Sequence, residues 1–332
     1  MASITPRPGI MDMAPYVPGA SKVEGVDRII KLSSNEGALG PSPKAVEAYE
    51  ALASTLHRYP DGASVELRKA IGAQHGLDPD RIVCGAGSDE VLGLLARAYA
   101  GPGDEILFGE HAFVMYPLFA LGVGATPVKA PETGFTVTVD ALLAKVTDRT
   151  RVVYIANPNN PTGTFVTKDE MTRLRQSLRD DILLVIDAAY AEYVTRNDYS
   201  SGVEMVDAGE NVVMTRTFSK IYALGGVRLG WAYCSGAVAG VLNRIRPPFN
   251  VTSAAQGAGI AAVNDVEFLT RSRDHNTAWL PWLSERLAES GLNIVPSVGN
   301  FVLALFRDDG AHDAAAAMAF LTARGIIPRS TA

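Results

Sequence analysis

The sequence predicts an α/β protein, with a large domain on a mainly parallel, doubly wound sheet of seven strands and a smaller α+β domain. Three observations predict it. Seven short runs are apolar throughout rather than alternating, which marks strands buried on both faces. Glycine or polar turns and helical stretches separate these runs, as expected for parallel strands joined by crossover helices. After Pro247–Pro248 the texture changes to a long amphipathic stretch, then one strand and an Ala-rich helix.

Taken in order, residues 1–43 are rich in Pro, Gly and Ser and read as an extended arm with turns. "SPKAVEAYEALAST" is helical, with Ser42 as N-cap and Pro43 at the first helical position. "SVELRKAIGAQHG" is a second helix ending at Gly76. The strand runs follow: "RIVCGAG", "EILFGE", "ATPVKAP", "RVVYIANP", "ILLVIDAAY", "NVVMTRTFSK" and "LGWAYCS". The later part holds the helix "DVEFLTRSRDHNTAWLPWLSERLAESG", the strand "NFVLALF" and the helix "DAAAAMAFLTARG". The expected divisions are 1–45 for the arm and part of the small domain, 46–250 for the large domain and 251–332 for the small C-terminal domain.

Composition narrows the function classes. With 47 % hydrophobic and 20 % charged residues in 332, the chain has ample material for a core. A net charge of −6 without any Lys/Arg cluster argues against nucleic-acid binding. Cys84 and Cys234 sit in apolar runs and read as small buried hydrophobes, which fits a reducing cytoplasm. The N-terminus lacks an apolar h-region, so no signal peptide is expected. The longest uncharged stretch, Pro247 to Val263, is too polar for a membrane span. His57, His75, His111, His275 and His312 show no ligand spacing, so no metal is expected.

Ligands of open parallel sheets bind beyond the carboxyl ends of the strands. There the chain places Asn157 to Gly163 ("NPNNPTG") after "RVVYIA", Asp187 and Tyr190 after "LLVI", and Thr217, Ser219 and Lys220 after "NVVMT". After "RIVC" comes "GAGSDE", where backbone N–H groups of Gly87, Ser88 and Asp89 open a helix and offer an anion site. A plain capping turn is the alternative there. Singly, Asp187 could be a structural carboxylate, Asn160 a turn residue and Lys220 a surface lysine. Together with Arg228 they match what pyridoxal phosphate needs. Lys220 supplies a Schiff base for the aldehyde and Asp187 keeps the pyridine nitrogen protonated. Tyr190 and Asn160 bond the ring hydroxyl. The helix terminus, the hydroxyls and Arg228 hold the phosphate, the arginine contact contributing on the order of 1.5–3 kcal/mol.

On these residues the chain resembles the fold-type-I pyridoxal-phosphate aminotransferases, and within them the histidinol-phosphate aminotransferases. The matching stretches are "KLSSNEGALGPSP", "HRYPDG", "GAGSDE", "ANPNNPTG", "VIDAAYAEY", "RTFSKIYALGGVRLGW" and "SVGNFVLALF", spread over residues 31–306. The resemblance implies transamination of L-histidinol phosphate with 2-oxoglutarate, giving imidazole-acetol phosphate and glutamate in cytoplasmic histidine biosynthesis. An aromatic amino acid aminotransferase and a threonine-phosphate decarboxylase-like enzyme stay open on the same fold. An NAD-binding oxidoreductase built on "GAGSDE" leaves Lys220 without a role, and a non-catalytic binding protein leaves the whole cluster without one.

By position the resemblance makes Lys220, Asp187 and Tyr190 catalytic. It stacks Phe113 of "HAFVMYP" on the ring and gives the phosphate to Gly87, Ser88, Asp89, Thr217, Ser219 and Arg228. Tyr59 of "HRYPDG" would reach the phosphate of a neighbouring subunit, which implies a homodimer with shared sites. Tyr16, Asn35 and Arg329 would face the substrate. Two departures stand out. Gly37 and Ala38 occupy positions where the family carries Asn and Pro. The sequence ends at Ala332, before the family's second anion-gripping arginine, so exposed apolar surface and weak stability or weak substrate binding are expected.

Overall fold

The computed structural model describes residues 4–15, 20–307 and 313–331. The seven apolar runs become the strands of one sheet: β1 (Ile82–Gly85), β2 (Glu105–Gly109), β3 (Thr126–Ala130), β4 (Thr150–Ala156), β5 (Leu183–Asp187), β6 (Val212–Thr217) and β7 (Gly230–Tyr233). Their order is β1-β7-β6-β5-β4-β2-β3. Neighbours from β6 through β3 run parallel, whereas β7 is antiparallel to both β6 and β1.

Successive residues of a strand face opposite layers, so each apolar run feeds two cores. Val153, Ile155, Leu184, Ile186 and Met214 face one layer. Val152, Tyr154, Leu183, Val185 and Val213 face the other. Both faces are buried along the inner strands, which is why those runs do not alternate with polar residues, whereas the edge strand β3 exposes Thr126 and Lys129.

The helices start and stop where local chemistry dictates. In α1 (Pro43–Ala51) the Ser42 side chain accepts the Lys44 N–H and Pro43 occupies the first turn. Helix α2 (Val65–His75) ends on Gly76 at φ 68, whose N–H returns to Gly72 O. Helix α3 (Ser88–Tyr99) leaves directly from β1 and buries Val91, Leu92 and Leu95. A 24-residue helix, α4 (Val266–Glu289), belongs to the later part of the chain, with Trp279 and Trp282 half exposed.

Two short pairings lie outside the main sheet in the terminal parts of the chain. Ile30–Lys31 runs parallel to Ile326–Ile327, which places the N-terminal segment against the C-terminal one. The strand predicted over "NFVLALF" is only Leu303–Leu305, antiparallel to Asn293–Val295. Asn300 and Phe301 lie outside the ladder and make other contacts: the Asn300 amide donates to Asn35 O, and Phe301 packs edge-on against Tyr190. Among the described residues no helix is long and apolar enough to cross a membrane.

Candidate active site

A cavity of about 280 Å³ opens at the carboxyl ends of β4, β5 and β6 and the start of α3. It is lined by Ser88, Asp89, Phe113, Asn160, Asp187, Tyr190, Thr217, Ser219, Lys220 and Arg228, joined by Ser34 and Glu36. Strand ends far apart in sequence thus converge because parallel strands point the same way.

Asp187 closes β5 and is 5 % exposed. Tyr116 donates its hydroxyl to Asp187 Oδ2 at 2.9 Å, and Thr215 donates to Oδ1 at 3.3 Å. Burial pushes the carboxyl up to about 6 and the negative charge of Asp89 adds to this, while the bonds from Tyr116, Thr215 and the Ala189 N–H pull the other way. The group is poised to face a cation, which would pull it back down.

Lys220 lies three residues beyond β6, with its Nζ donating to Ser34 O at 3.0 Å and sitting 5.5 Å above the Tyr190 ring. Burial lowers its amine to about 8; Asp89, Glu36 and Asp187 oppose that shift and Arg228 adds to it. A lysine lowered this far carries an appreciable free-amine fraction near neutrality, as nucleophilic and proton-transferring lysines need. Tyr190 is buried, and its hydroxyl accepts from Asn35 Nδ2 at 3.1 Å. Burial raises that phenol, so it remains a neutral hydrogen-bonding group.

At the far side α3 starts on Gly87 with no side-chain cap, so the N–H groups of its first turn are available to a ligand. Arg228 Nη2 donates to Asp89 Oδ2 at 3.0 Å and Nη1 to Ser219 Oγ at 3.3 Å. A Cβ on Gly87 would lie 2.2 Å from Arg228 Nη2, and Gly87 has φ 88. One on Gly230, which opens β7, would lie 2.2 Å from Ser88 N. Glycine is therefore what lets the arginine and the strand close on the helix terminus. The result is an anion cradle of a helix N-terminus, hydroxyls and a guanidinium.

Not all of the predicted residues line this cavity. Tyr59 is 82 % exposed and stacks on Phe249 at 4.7 Å, away from the cavity lining. Arg329 is exposed beyond Ile326–Ile327 and does not line the cavity. Tyr16 lies outside the described residues. Asn35 reaches the site through the Tyr190 hydroxyl rather than by lining it. Sequence reasoning missed Tyr116, Thr215 and the Ser34 carbonyl. Nothing local in the sequence ties any of them to Asp187 or Lys220.

These residues fit pyridoxal phosphate. The cradle that glycine keeps open suits a phosphate, the buried Asp187 suits a ring cation, and Lys220 between them suits an aldehyde.

Comparison with known proteins agrees with this geometry. The family model described as aminotransferase class I and II matches residues 27–330. The chain is 63 % identical over 330 residues to a histidinol-phosphate aminotransferase of Paramagnetospirillum magneticum, covering 99 % of this chain and 91 % of that protein. It is 56 % identical over 329 residues to the one of Rhodospirillum centenum, again covering 99 % and 91 %. Among solved structures it resembles the histidinol-phosphate aminotransferase of Sinorhizobium meliloti in complex with pyridoxal-5'-phosphate, with a TM-score of 0.85 and 28 % identity over 90 % of this chain and 81 % of that one.

Proposed function

The chain belongs to the aminotransferases of class I and II, and on that premise we propose that it transaminates L-histidinol phosphate with 2-oxoglutarate in histidine biosynthesis, using pyridoxal phosphate. The observation that carries the chemistry is Lys220, lowered to about 8 and enclosed in one cavity with a buried carboxylate and an anion cradle. Support for the substrate comes from the 63 % identity over nearly the whole chain.

Ser88, Asp89, Thr217, Ser219 and Arg228 would hold the cofactor phosphate, Asp89 through its backbone N–H while its carboxylate orients Arg228. Asp187 would hold the ring nitrogen, Tyr190 and Asn160 the ring oxygen, and Phe113 the ring face. When bound, the cofactor supplies an electron sink for the charge left at a substrate α-carbon. Lys220 Nζ removes and returns that proton, and the Ser34 carbonyl orients the amine between transfers. Asp187 keeps its charge buried, where water does not weaken it. Turnover measured on L-histidinol phosphate, phenylalanine and threonine phosphate tests the assignment. We expect histidinol phosphate to exceed the others in kcat/KM by at least about 10²-fold; equal rates on phenylalanine would remove the dedicated role.

We place Tyr59 in the neighbouring subunit's site, within a homodimer. Support comes from the exposed Tyr59–Phe249 stack and from Leu56, three residues before Tyr59 and 79 % exposed. Mixing inactive Lys220→Met with Tyr59→Ala subunits tests this, because a hybrid dimer then has one complete site. Random reassortment predicts recovery of about a quarter of wild-type activity. Activity no greater than the sum of the parents would show that each site is built by one chain.

A further inference from the structure

The loop that covers Lys220 carries a glycine whose role neither the cofactor nor the substrate explains. Residues 34–36 touch the site at three points: Ser34 O accepts from Lys220 Nζ, Asn35 Nδ2 donates to the Tyr190 hydroxyl, and Glu36 lines the cavity. Gly37 follows and lies on the turn that leaves Lys220. A Cβ there would stand 2.6 Å from Ala223 Cβ and 3.0 Å from Lys220 O. Ala223 closes that turn with its N–H on Lys220 O at 3.0 Å, and it has φ 53, a left-handed conformation that disfavours any side chain. From the other side, Asn300 Nδ2 donates to Asn35 O at 3.1 Å and to Glu36 O at 3.3 Å. The loop is thus clamped between Asn300 and the Lys220–Ala223 turn.

We propose that Gly37 and Ala223 form a matched pair that sets how closely residues 34–36 sit over Lys220, which makes Gly37 a positioning residue for the catalytic amine. The turn already holds one methyl at Ala223, so there is no space for a second at residue 37. Adding one must lift the loop or tilt the turn, and either motion separates Ser34 O from Lys220 Nζ. Removing the Ala223 methyl takes away the 2.6 Å clash, leaving the 3.0 Å approach to Lys220 O and the 3.3 Å approach to the Cα of residue 223 to be relieved by a small shift.

The proposal rests on Lys220 as the catalytic amine, so the test includes a readout that does not depend on catalysis. Wild type, Gly37→Ala, Ala223→Gly and the double variant are compared in three ways. Acetylation of Lys220 in cofactor-free protein at pH 9, above its pKa of about 8, reads the cover over the amine by peptide mass spectrometry. Steady-state kinetics split kcat from KM. The visible band of the holoenzyme is titrated against pH.

Gly37→Ala is expected to label about 10-fold faster, to lose about 10²-fold in kcat with a smaller change in KM, and to shift the titration midpoint of the band. Ala223→Gly is expected to resemble wild type. The double variant is expected to recover most of the labelling protection and of kcat, a non-additivity that marks direct contact. Unchanged labelling and kcat in Gly37→Ala would overturn the proposal. So would a double variant as impaired as Gly37→Ala. If Gly37→Ala alone does not fold, a folded and active double variant supports the pairing and an unfolded one overturns it. Were Lys220 not catalytic, labelling would still separate the four proteins while kcat would not.

Discussion

Lys220→Met is expected to remove at least about 10⁴-fold of the transamination rate and, at pH 7, to make the cofactor-free protein more stable. The two effects share a cause. The amine is held in a site whose burial lowers it from 10.5 to about 8. A folded pKa below the ordinary one means that the native state binds fewer protons than the unfolded chain between those values. The stability cost is therefore complete below pH 8 and vanishes as pH rises through 10.5. Each pKa unit corresponds to about 1.4 kcal/mol. Lys220 is only partly buried and its bond to Ser34 is also lost, so we expect a net gain of about 1 kcal/mol at pH 7, shrinking toward pH 10.5. Denaturant unfolding of both cofactor-free proteins across that range checks it. A methionine variant that is less stable at pH 7, or one that retains measurable turnover, contradicts the role assigned to the amine.

Asp187→Asn is expected to lower kcat by about 10²–10³-fold while leaving the fold intact. The amide can still meet the Tyr116 hydroxyl and Thr215, but it cannot supply a charge. Stability again shows the sign. The Asp187 carboxyl is raised from 3.8 to about 6, so between those values the cofactor-free native state holds a proton that the unfolded chain has lost. Its favourable contribution is complete below pH 4 and is lost as pH rises through 6. Wild type should therefore lose stability relative to Asp187→Asn over that interval, by up to about 3 kcal/mol. Parallel stability curves between pH 4 and 7 would show that the carboxylate is not strained by burial. Full activity in the asparagine variant would remove it from the mechanism.

Much of this site was legible because its residues announce themselves at strand ends. The seven apolar runs are the seven strands of the sheet, and Asp187, Lys220, Asn160 and the helix opened at Ser88 meet in one cavity. Capping chemistry was equally readable at Ser42 and Gly76, where a hydroxyl and a left-handed glycine have local causes. What stayed hidden has no local cause. The antiparallel course of β7 leaves no trace in "LGWAYCS", since a strand buried on both faces has the same composition in either direction. Tyr116 reaches Asp187 across 71 residues of sequence, from a stretch whose neighbours are all apolar. The Ser34 carbonyl is a backbone atom that no residue type signals, and Gly37 stood out in the sequence only as a departure from the family pattern, with nothing to place it against Ala223.

Borohydride reduction of the yellow holoprotein, followed by peptide mapping, tests the role of Lys220 most directly. The expected result is loss of the visible band and one modified peptide, with the reduced cofactor on Lys220. A cofactor fixed on a different lysine, or a protein that stays colourless with pyridoxal phosphate in excess, would contradict it.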